Sequence, residues 1–348
     1  MLTAIYKKYI LQFKKASGTS RGVLHTKETF FLKISKDKKI GIGECGLFRG
    51  LSYDDVPDYE EKLQWVCDHI QWDKDLLFKE LINYPSIHFG LEQALLSLQS
   101  QEIFALFPSK FTQGKDSIAI NGLIWMGDAS FMQKQIKEKL ATGFTTIKLK
   151  IGAIDFEAEL NLLKTIRKEF SASEIELRVD ANGAFSPENA LEKLKRLADF
   201  ELHSIEQPIK SGQQQEMAKL CAVSPLPIAL DEELIGVLGK SEKELLIKTI
   251  QPQYIILKPS LIGGFAGSEQ WIDIIEKQKI GWWITSALES NIGLNAIAQF
   301  TYLKETKMPQ GLGTGSLFTN NLPSPLEVKN GSIYYSQMRK WENIESLF

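Results

Sequence analysis

Five charged residues recur at nearly equal spacing, each at the end of a short apolar run typical of a β-strand. They are Lys150, Asp180, Glu206, Asp231 and Lys258, and the intervals between them are 30, 26, 25 and 27 residues. Each interval has room for one strand and one helix. In a parallel β/α barrel the carboxyl ends of all strands open on one face, so these side chains would converge there. The spacing therefore predicts one shared site with three acids and two amines.

The three acids of this set indicate a metal site. Three neighbouring carboxylates cannot all stay ionised unless a cation lies between them. A ligand set made only of oxygen favours Mg²⁺, with Mn²⁺ as a substitute, over zinc. No histidine is placed to act as a base at this site, because none of the four lies at a strand-end position. The histidines are His25, His69, His88 and His203.

A lysine pair supplies the candidate base. Residues 145–151 read TTIKLKI, so Lys148 and Lys150 point to the same face of one strand. A second ammonium group and a divalent cation both lower the pKa of a nearby lysine. Lowering the pKa of a lysine from ~10.4 to the range of ~7–8 that suits a base requires its neutral form to be favoured over its charged form by an additional ~4 kcal/mol. A neutral lysine beside a metal-bound carboxylate could take the proton alpha to that carboxylate, and the metal would hold the resulting enediolate.

The charges at the site indicate the kind of substrate. Three lysines and three carboxylates roughly cancel, so a bound divalent cation would leave an excess of positive charge. Such a site suits a small anion, and a dicarboxylate in particular.

The elements that would position these residues divide the chain into three parts. Residues 1–112 mix strand-like and helical runs and are predicted to form an α+β capping domain with specificity loops. Residues 113–318 alternate eight strand-like runs with amphipathic helices, which predicts an α/β fold with a modified TIM barrel, (β/α)7β. Residues 319–348 contain an Asn-Gly hairpin signal and cannot continue the repeat. We expect this tail to return to the capping domain.

The composition is that of an ordinary globular protein. The net charge of −2 offers no electrostatic footprint for nucleic acid or an anionic membrane. Three widely separated cysteines without a CxxC pair indicate neither a disulfide framework nor a zinc cluster. No signal-peptide pattern is present, and no apolar run approaches the ~20 residues of a membrane helix. We therefore expect a soluble, cytoplasmic protein with no nucleic-acid or membrane partner, whose oligomeric state is open.

The motifs around the five charged residues resemble those of the enolase superfamily, muconate-lactonizing subgroup, over essentially the whole chain. They are KLK at 148–150, DANG at 180–183, EQP at 206–208, DE at 231–232 and LKPSLIGG at 257–264. In the first hundred residues, GIGECG and SIHFGLEQALLSL resemble the capping domain of that family. Within the subgroup, SALESNIGLNAIAQF and GLGTGSLFTNNLPSPLEV are most similar to the o-succinylbenzoate synthases.

The resemblance implies a reaction and a metal. The reaction is the syn-dehydration of 2-succinyl-6-hydroxy-2,4-cyclohexadiene-1-carboxylate to o-succinylbenzoate through an enediolate, a lyase step of menaquinone biosynthesis. The implied magnesium ligands are Asp180, Glu206 and Asp231. Asn182 and Glu232 would contact the ligands rather than the metal and would hold them in place.

The same resemblance implies roles for the amines and for the substrate contacts. Lys150 would take the alpha proton and return it to the departing hydroxyl, and Lys148 would support it. Lys258, as a positively charged ammonium group, would stabilise the intermediate. Groups around Ser286 and Gly313 would receive the distal carboxylate.

Loops of the capping domain would close over the site and set specificity. They are residues 17–22 and 45–52, and Arg49 is a candidate lid contact. Taken alone, Arg49 fits a solvated loop arginine better than a substrate contact.

Several alternatives stay open. Each of the five charged residues alone could be a helix cap or a solvated surface group, and their regular spacing argues against that interpretation for the set. The resemblance implies that N-succinylamino acid racemases share every one of these motifs, and another lysine-base racemase or cycloisomerase of the subgroup is a further alternative. A Schiff-base lyase would use a barrel lysine without a carboxylate triad. A non-catalytic member of the family would keep the fold without turnover.

Overall fold

An antiparallel sheet and three helices form the N-terminal unit of the computed structural model, which describes residues 1–19, 22–125, 128–342, 344 and 347–348. The sheet has the order β1-β2-β3, with β1 Leu2–Thr19, β2 Gly22–Lys36 and β3 Lys39–Cys45. The helices are α1 Tyr59–Asp68, α2 Lys74–Glu80 and α3 Pro85–Gln99. Strands β2 and β3 form an antiparallel hairpin in which Lys36 pairs with Lys39.

Glycines allow α3 to pack directly on β3. A Cβ atom at Gly43 would lie 2.0 Å from the carbonyl oxygen of Gly90, and one at Gly41 would lie 2.1 Å from that of Ala94. Only a residue without a side chain permits this approach. The close packing holds the GIGEC segment, including Glu44, at the edge of the unit that faces the barrel.

Seven parallel strands form the barrel sheet, in the order β5 to β11. They follow β4, Ser117–Ala119, and are β5 Gly122–Ile124, β6 Thr146–Lys150, β7 Glu176–Asp180, β8 Ser204–Glu206, β9 Ile228–Leu230, β10 Tyr254–Leu257 and β11 Gly281–Ile284. The alternating helices are α4 Ala129–Ala141, α5 Phe156–Glu169, α6 Pro187–Ala198, α7 Gln214–Val223, α8 Lys240–Ile250, α9 Gly264–Glu276 and α10 Asn291–Leu303. Short 3₁₀ turns, Glu232–Leu234 and Pro259–Leu261, follow β9 and β10.

An extended segment takes the eighth position of the barrel. Gln310 forms a parallel bridge with Ile120, ahead of β5, and Gly311 forms one with Thr285, just after β11. This segment therefore closes the sheet between its first and last strands. The predicted α/β class and the (β/α)7β barrel are confirmed.

Apolar side chains explain why these runs become barrel elements. Strands covered by helices on one face and by core on the other must be apolar throughout, and β9 and β11 are such runs. On α5 one apolar stripe faces the core, with Leu160, Leu163 and Ile166 buried. Within the described ranges, no helix combines the length and hydropathy that a bilayer crossing requires.

The C-terminal hairpin lies at the barrel rather than on the N-terminal sheet. Strands β12, Leu326–Lys329, and β13, Ser332–Tyr335, turn at the predicted Asn-Gly pair, and β13 pairs with β4. The short β4 strand offers an open edge, and Ile333 is buried in the barrel core beside it. The chain contacts the N-terminal unit on both sides of the hairpin, where Phe318 bridges to Phe13 and Leu347 packs in a cluster with Phe31 of β2. The domain boundaries at residues 112 and 318 stay predictions.

Candidate active site

Strand register brings the predicted residues together. Lys150 pairs with Asp180, and Asp180 with Glu206, at the carboxyl ends of β6, β7 and β8. Asp231 directly follows β9, and Lys258 directly follows β10. All five residues therefore stand at the ends of five consecutive strands of one sheet, on the same face of the barrel.

Buried carboxylates balance the paired lysines. Lys148 Nζ lies 2.8 Å from Asp180 Oδ2 and also contacts Glu206 Oε2. Lys150 Nζ lies 2.6 Å from the same Asp180 oxygen. Lys258 forms an ion pair with Asp231. The two like charges on β6 are tolerated because each ammonium group has a carboxylate partner.

Asn182 connects the lysine to a further acid. Its Oδ1 accepts a hydrogen bond from Lys150 Nζ at 2.6 Å, and its Nδ2 donates to Glu232 Oε1 at 2.9 Å. Its backbone is left-handed, with φ at 44°, a conformation that asparagine adopts more readily than most residues. The DANG turn thereby places both Asp180 and Asn182 around the amine of Lys150, while the predicted support of the metal ligands by Asn182 and Glu232 stays a prediction.

Burial and the neighbouring charges shift the pKa values of the acids and lysines of this site, often in opposite directions. Burial would raise the pKa of Asp180, but the ammonium groups of Lys148 and Lys150 outweigh it and hold that pKa well below its usual range. Burial would lower the pKa of Lys148, but Asp180 and Glu206 raise it above the ordinary lysine value. For Glu206, burial and then repulsion from Asp180 raise the pKa well above the usual range. Glu206 is therefore the carboxylate that an additional cation would stabilise most.

The side-chain atoms of the three acids are of the chemical type that Mg²⁺ prefers as ligands. Asp180, Glu206 and Asp231 are hard oxygen donors and no more than 2% exposed. Glu206 is within side-chain hydrogen-bonding reach of both aspartates, and its Oε1 atom is buried with no hydrogen-bond partner among the described residues. In the described ranges no three acidic, histidine or cysteine side chains meet the geometry of a metal cluster. The ammonium groups of Lys148 and Lys258 pack against these oxygens instead.

A cavity of about 200 Å³ opens beside the cluster. Lys148, Lys150 and Lys258 line it together with Ser286 and Gly313, so the three predicted catalytic lysines and two of the three predicted substrate contacts share one space. Strands β6 and β10 stand on opposite sides of the barrel, which places Lys150 and Lys258 on two sides of the cavity.

The hydrogen bonds of Ser286 are already in use. Its hydroxyl donates to Glu289 and accepts a hydrogen bond from Thr314 Oγ1 at 2.9 Å, while its amide donates to the Gly311 oxygen at 3.0 Å. Ser286 therefore shapes the cavity wall more than it offers a free donor.

The sequence reasoning missed several cavity residues. They are Asn121, Leu123, Trp125, Thr285 and Leu288. Their sequence positions could have identified them as cavity residues, because each lies in or just after a strand-like run near the predicted rim of the barrel. Their residue types are not characteristic of catalysis.

Arg49 is not among the residues that line the cavity, and its role as a lid contact stays a prediction. Its guanidinium group lies 2.7 Å from Asp55 Oδ1 and also pairs with Glu28, both in the N-terminal unit. These two carboxylates hold the side chain outside the cavity wall. Phe48 and Leu51, from the same loop 45–52, line the cavity instead. In the other predicted loop, residues 20 and 21 and the side chains of 16–19 lie outside the described residues, so its role stays a prediction.

Comparisons with known proteins decide the family. The family model described as "Enolase C-terminal domain-like" matches residues 132–338. The chain is 48% identical to an o-succinylbenzoate synthase from Desulfotalea psychrophila, over 94% of this chain and 97% of that one. The chain belongs to the enolase superfamily.

Membership of the enolase superfamily confirms the predicted resemblance and implies a Mg²⁺-dependent enzyme. The crystal structure of MenC from Desulfotalea psychrophila has a TM-score of 0.86 and 44% identity, covering 96% of this chain and 99% of that chain. An N-succinylamino acid racemase from Thermus thermophilus is 31% identical over 56% of this chain and 51% of its own. The superfamily relatives therefore include both a dehydratase and a racemase.

Proposed function

We propose that the protein is an o-succinylbenzoate synthase of menaquinone biosynthesis. It would eliminate water from 2-succinyl-6-hydroxy-2,4-cyclohexadiene-1-carboxylate. The observation that carries the proposal is the placement of Lys150 and Lys258 on two sides of one cavity, in a chain similar to such a synthase over almost its whole length. A cytoplasmic location and the absence of nucleic-acid partners belong to the same proposal.

Lys150 is the proposed base and acid. Its amine, held by Asp180 and Asn182, would take the proton from the carbon that carries the ring carboxylate. The electron pair left behind is delocalised into that carboxylate. Lys150 would then return the proton to the hydroxyl group as the carbon–oxygen bond breaks, which releases water and leaves an aromatic ring. One lysine acts in both steps, so the hydrogen and the hydroxyl group leave from the same face.

The other two lysines would supply fixed positive charge. Lys258 faces the cavity from β10 and stabilises the negative charge that builds up after proton removal. Lys148, between Asp180 and Glu206, fixes both carboxylates and thereby the position of Lys150.

Two further groups complete the substrate site. A Mg²⁺ ion held by Asp180, Glu206 and Asp231 would polarise the ring carboxylate, and Mn²⁺ suits the same donors. Backbone groups around Ser286 and Gly313 would receive the succinyl carboxylate at the other end of the cavity.

The test is an assay of the purified protein with the cyclohexadiene substrate and Mg²⁺. Aromatisation changes the ultraviolet absorbance, which follows turnover directly. We expect rapid, Mg²⁺-dependent formation of o-succinylbenzoate. A protein that leaves this substrate unchanged over a range of Mg²⁺ concentrations would refute the proposal.

Racemisation of N-succinylamino acids is the second candidate. Two lysines on opposite sides of one cavity suit removal and return of a proton from opposite faces of a carbon, and one relative is such a racemase. Optical rotation with N-succinyl amino acids measures this activity in the same preparation. The ratio of the two kcat/KM values decides which reaction is the principal one. Trapping by borohydride with either substrate would instead indicate a Schiff-base enzyme.

A further inference from the structure

Gln207 combines a buried polar side chain with an unusual backbone conformation. It follows Glu206 at the end of β8, and only 1% of its surface is exposed. Its backbone is left-handed, with φ at 40°. Residues with a side chain adopt this conformation at a cost in free energy, and they keep it where the surrounding contacts hold them there. The steps of the proposed dehydration do not use Gln207, so the contacts that hold it indicate another role.

The backbone of Gln207 contacts the neighbouring elements on both sides of β8. Its carbonyl oxygen accepts a hydrogen bond from the amide of Gly183, in the loop after β7, at 2.7 Å. Its own amide donates to the carbonyl oxygen of Ala229, on β9, at 2.9 Å. Asp180 ends β7, and Asp231 directly follows β9. Gln207 therefore lies at the centre of the three strand ends that carry the proposed metal ligands.

The side chain of Gln207 holds the loop after β9. Its Oε1 atom accepts hydrogen bonds from the backbone amides of Asp231 at 3.2 Å and Glu233 at 3.3 Å. Both of these residues are no more than 5% exposed. A buried amide that loses its acceptor carries the full cost of its desolvation. The oxygen of Gln207 therefore fixes the backbone at Asp231 and at the 3₁₀ turn that follows it.

Two acceptors fix the orientation of the Gln207 amide group. Its Nε2 atom donates to the carbonyl oxygen of Ile209 at 3.0 Å and to Glu233 Oε2 at 3.1 Å. The other carboxyl oxygen of Glu233 accepts the amide of Gly212 at 3.0 Å, so Glu233 is itself held in place. An amide oxygen cannot donate, and rotating the group by half a turn would lose all four side-chain hydrogen bonds of Gln207. The Oε1 atom is therefore directed at the loop after β9.

We propose that Gln207 is a positioning residue for the metal site. It holds the backbone of Asp231 at a fixed place relative to Glu206, its own neighbour in the chain, so that the two carboxylates can share one cation. Groups that support the ligands of a metal site commonly set its affinity. Gln207 is not among the residues that line the cavity, so it acts through the ligands and not on the substrate. This inference rests on the proposed function, in which Glu206 and Asp231 hold Mg²⁺.

The test measures Mg²⁺ binding by calorimetry for the wild type, Gln207→Met and the control Gln215→Met. Gln215 is an exposed glutamine on α7, the helix after β8, and takes part in none of these hydrogen bonds. Methionine keeps the length of the side chain and removes both the acceptor and the donor. We expect Gln207→Met to raise the Kd for Mg²⁺ by about tenfold or more, because groups that support metal ligands contribute ~10–100-fold to affinity. The control should match the wild type.

Turnover separates positioning from damage to the fold. If Gln207 acts through the ligands, saturating Mg²⁺ should restore most of kcat in Gln207→Met, and KM for the substrate should stay near the wild-type value. A wild-type Kd for Mg²⁺, or a kcat that saturating Mg²⁺ does not restore, would overturn the inference. Should Gln207→Met fail to fold, Gln207→Asn decides by the same measurements, since it keeps an amide and withdraws the acceptor by one methylene group.

The calorimetric measurement needs no substrate, which separates this inference from the proposed function. A wild type that binds Mg²⁺ but leaves the cyclohexadiene unchanged would refute the proposed function alone, and the Kd values would still decide the role of Gln207. A wild type that binds no Mg²⁺ would overturn this inference together with the metal site.

Discussion

Replacing Lys150 with methionine should remove the chemistry and leave the protein folded. Methionine keeps most of the apolar stem and deletes the amine that lies 2.6 Å from both Asp180 Oδ2 and Asn182 Oδ1. General acid–base catalysis contributes ~10²–10⁴-fold for each proton transfer. Because Lys150 is proposed to act in two transfers, we expect turnover to fall by ~10⁴-fold or more.

The cost to stability should be small by comparison. Asp180 keeps Lys148 as a partner at 2.8 Å, so no buried carboxylate is left unpaired. A hydrogen bond to a charged group contributes ~1.5–3 kcal/mol, and relief of the repulsion between the two ammonium groups offsets part of its loss. We therefore expect the free energy of unfolding to change by no more than ~3 kcal/mol.

The assay follows product absorbance under saturating substrate and Mg²⁺, beside a thermal melt monitored by circular dichroism. Lys164→Met, on the exposed face of α5, is the matched control, since it removes the same group from the helix that follows β6. Turnover above ~1% of the wild-type value in a folded Lys150→Met protein would show that another group moves the proton. The assigned role would then be wrong.

Three further predictions concern the metal and the contact between the units. Chelation by EDTA should abolish turnover and added Mg²⁺ should restore it; activity that survives thorough chelation contradicts the metal site. Asp180→Asn should weaken Mg²⁺ binding at least about tenfold in calorimetry, because even partners behind metal ligands cost ~10–100-fold, and unchanged affinity would remove Asp180 from the ligand set. Glu92, on α3, accepts the amides of Phe265 and Ala266 on α9, and burial raises its pKa from 4.5 to about 7. A carboxyl group whose pKa is raised on folding stabilises the protein below its unfolded pKa and loses that effect as the pH rises through its folded pKa. Denaturant unfolding of the wild type and Glu92→Gln should show the advantage of the wild type declining between about pH 4.5 and 7, and a pH-independent difference would contradict this.

The central site could be predicted from the sequence because residues spaced by one strand and one helix come together at the same end of a parallel barrel. Lys150, Asp180 and Glu206 end adjacent strands in register, as their spacing requires. Arg49 could not be placed in this way. Its partners Glu28 and Asp55 lie on a strand and a loop whose mutual approach follows no repeat. The Asn-Gly turn predicted the C-terminal hairpin. The sequence did not predict that β13 would pair with β4, because that pairing depends on which strand has an unpaired edge in the folded protein.

The sequence by itself determined the residues that stand at the strand ends, the barrel that carries them and the family to which the chain belongs. Each of these depends on local periodicity or on a short motif, and both are written along the chain. Only the tertiary structure decided that Glu289 accepts a hydrogen bond from Ser260, and that Glu44 accepts the amides of Ser290 and Gly293 across the boundary of the two units. The partners in each of these contacts are far apart in sequence, and they meet through tertiary packing, for which the chain carries no regular interval.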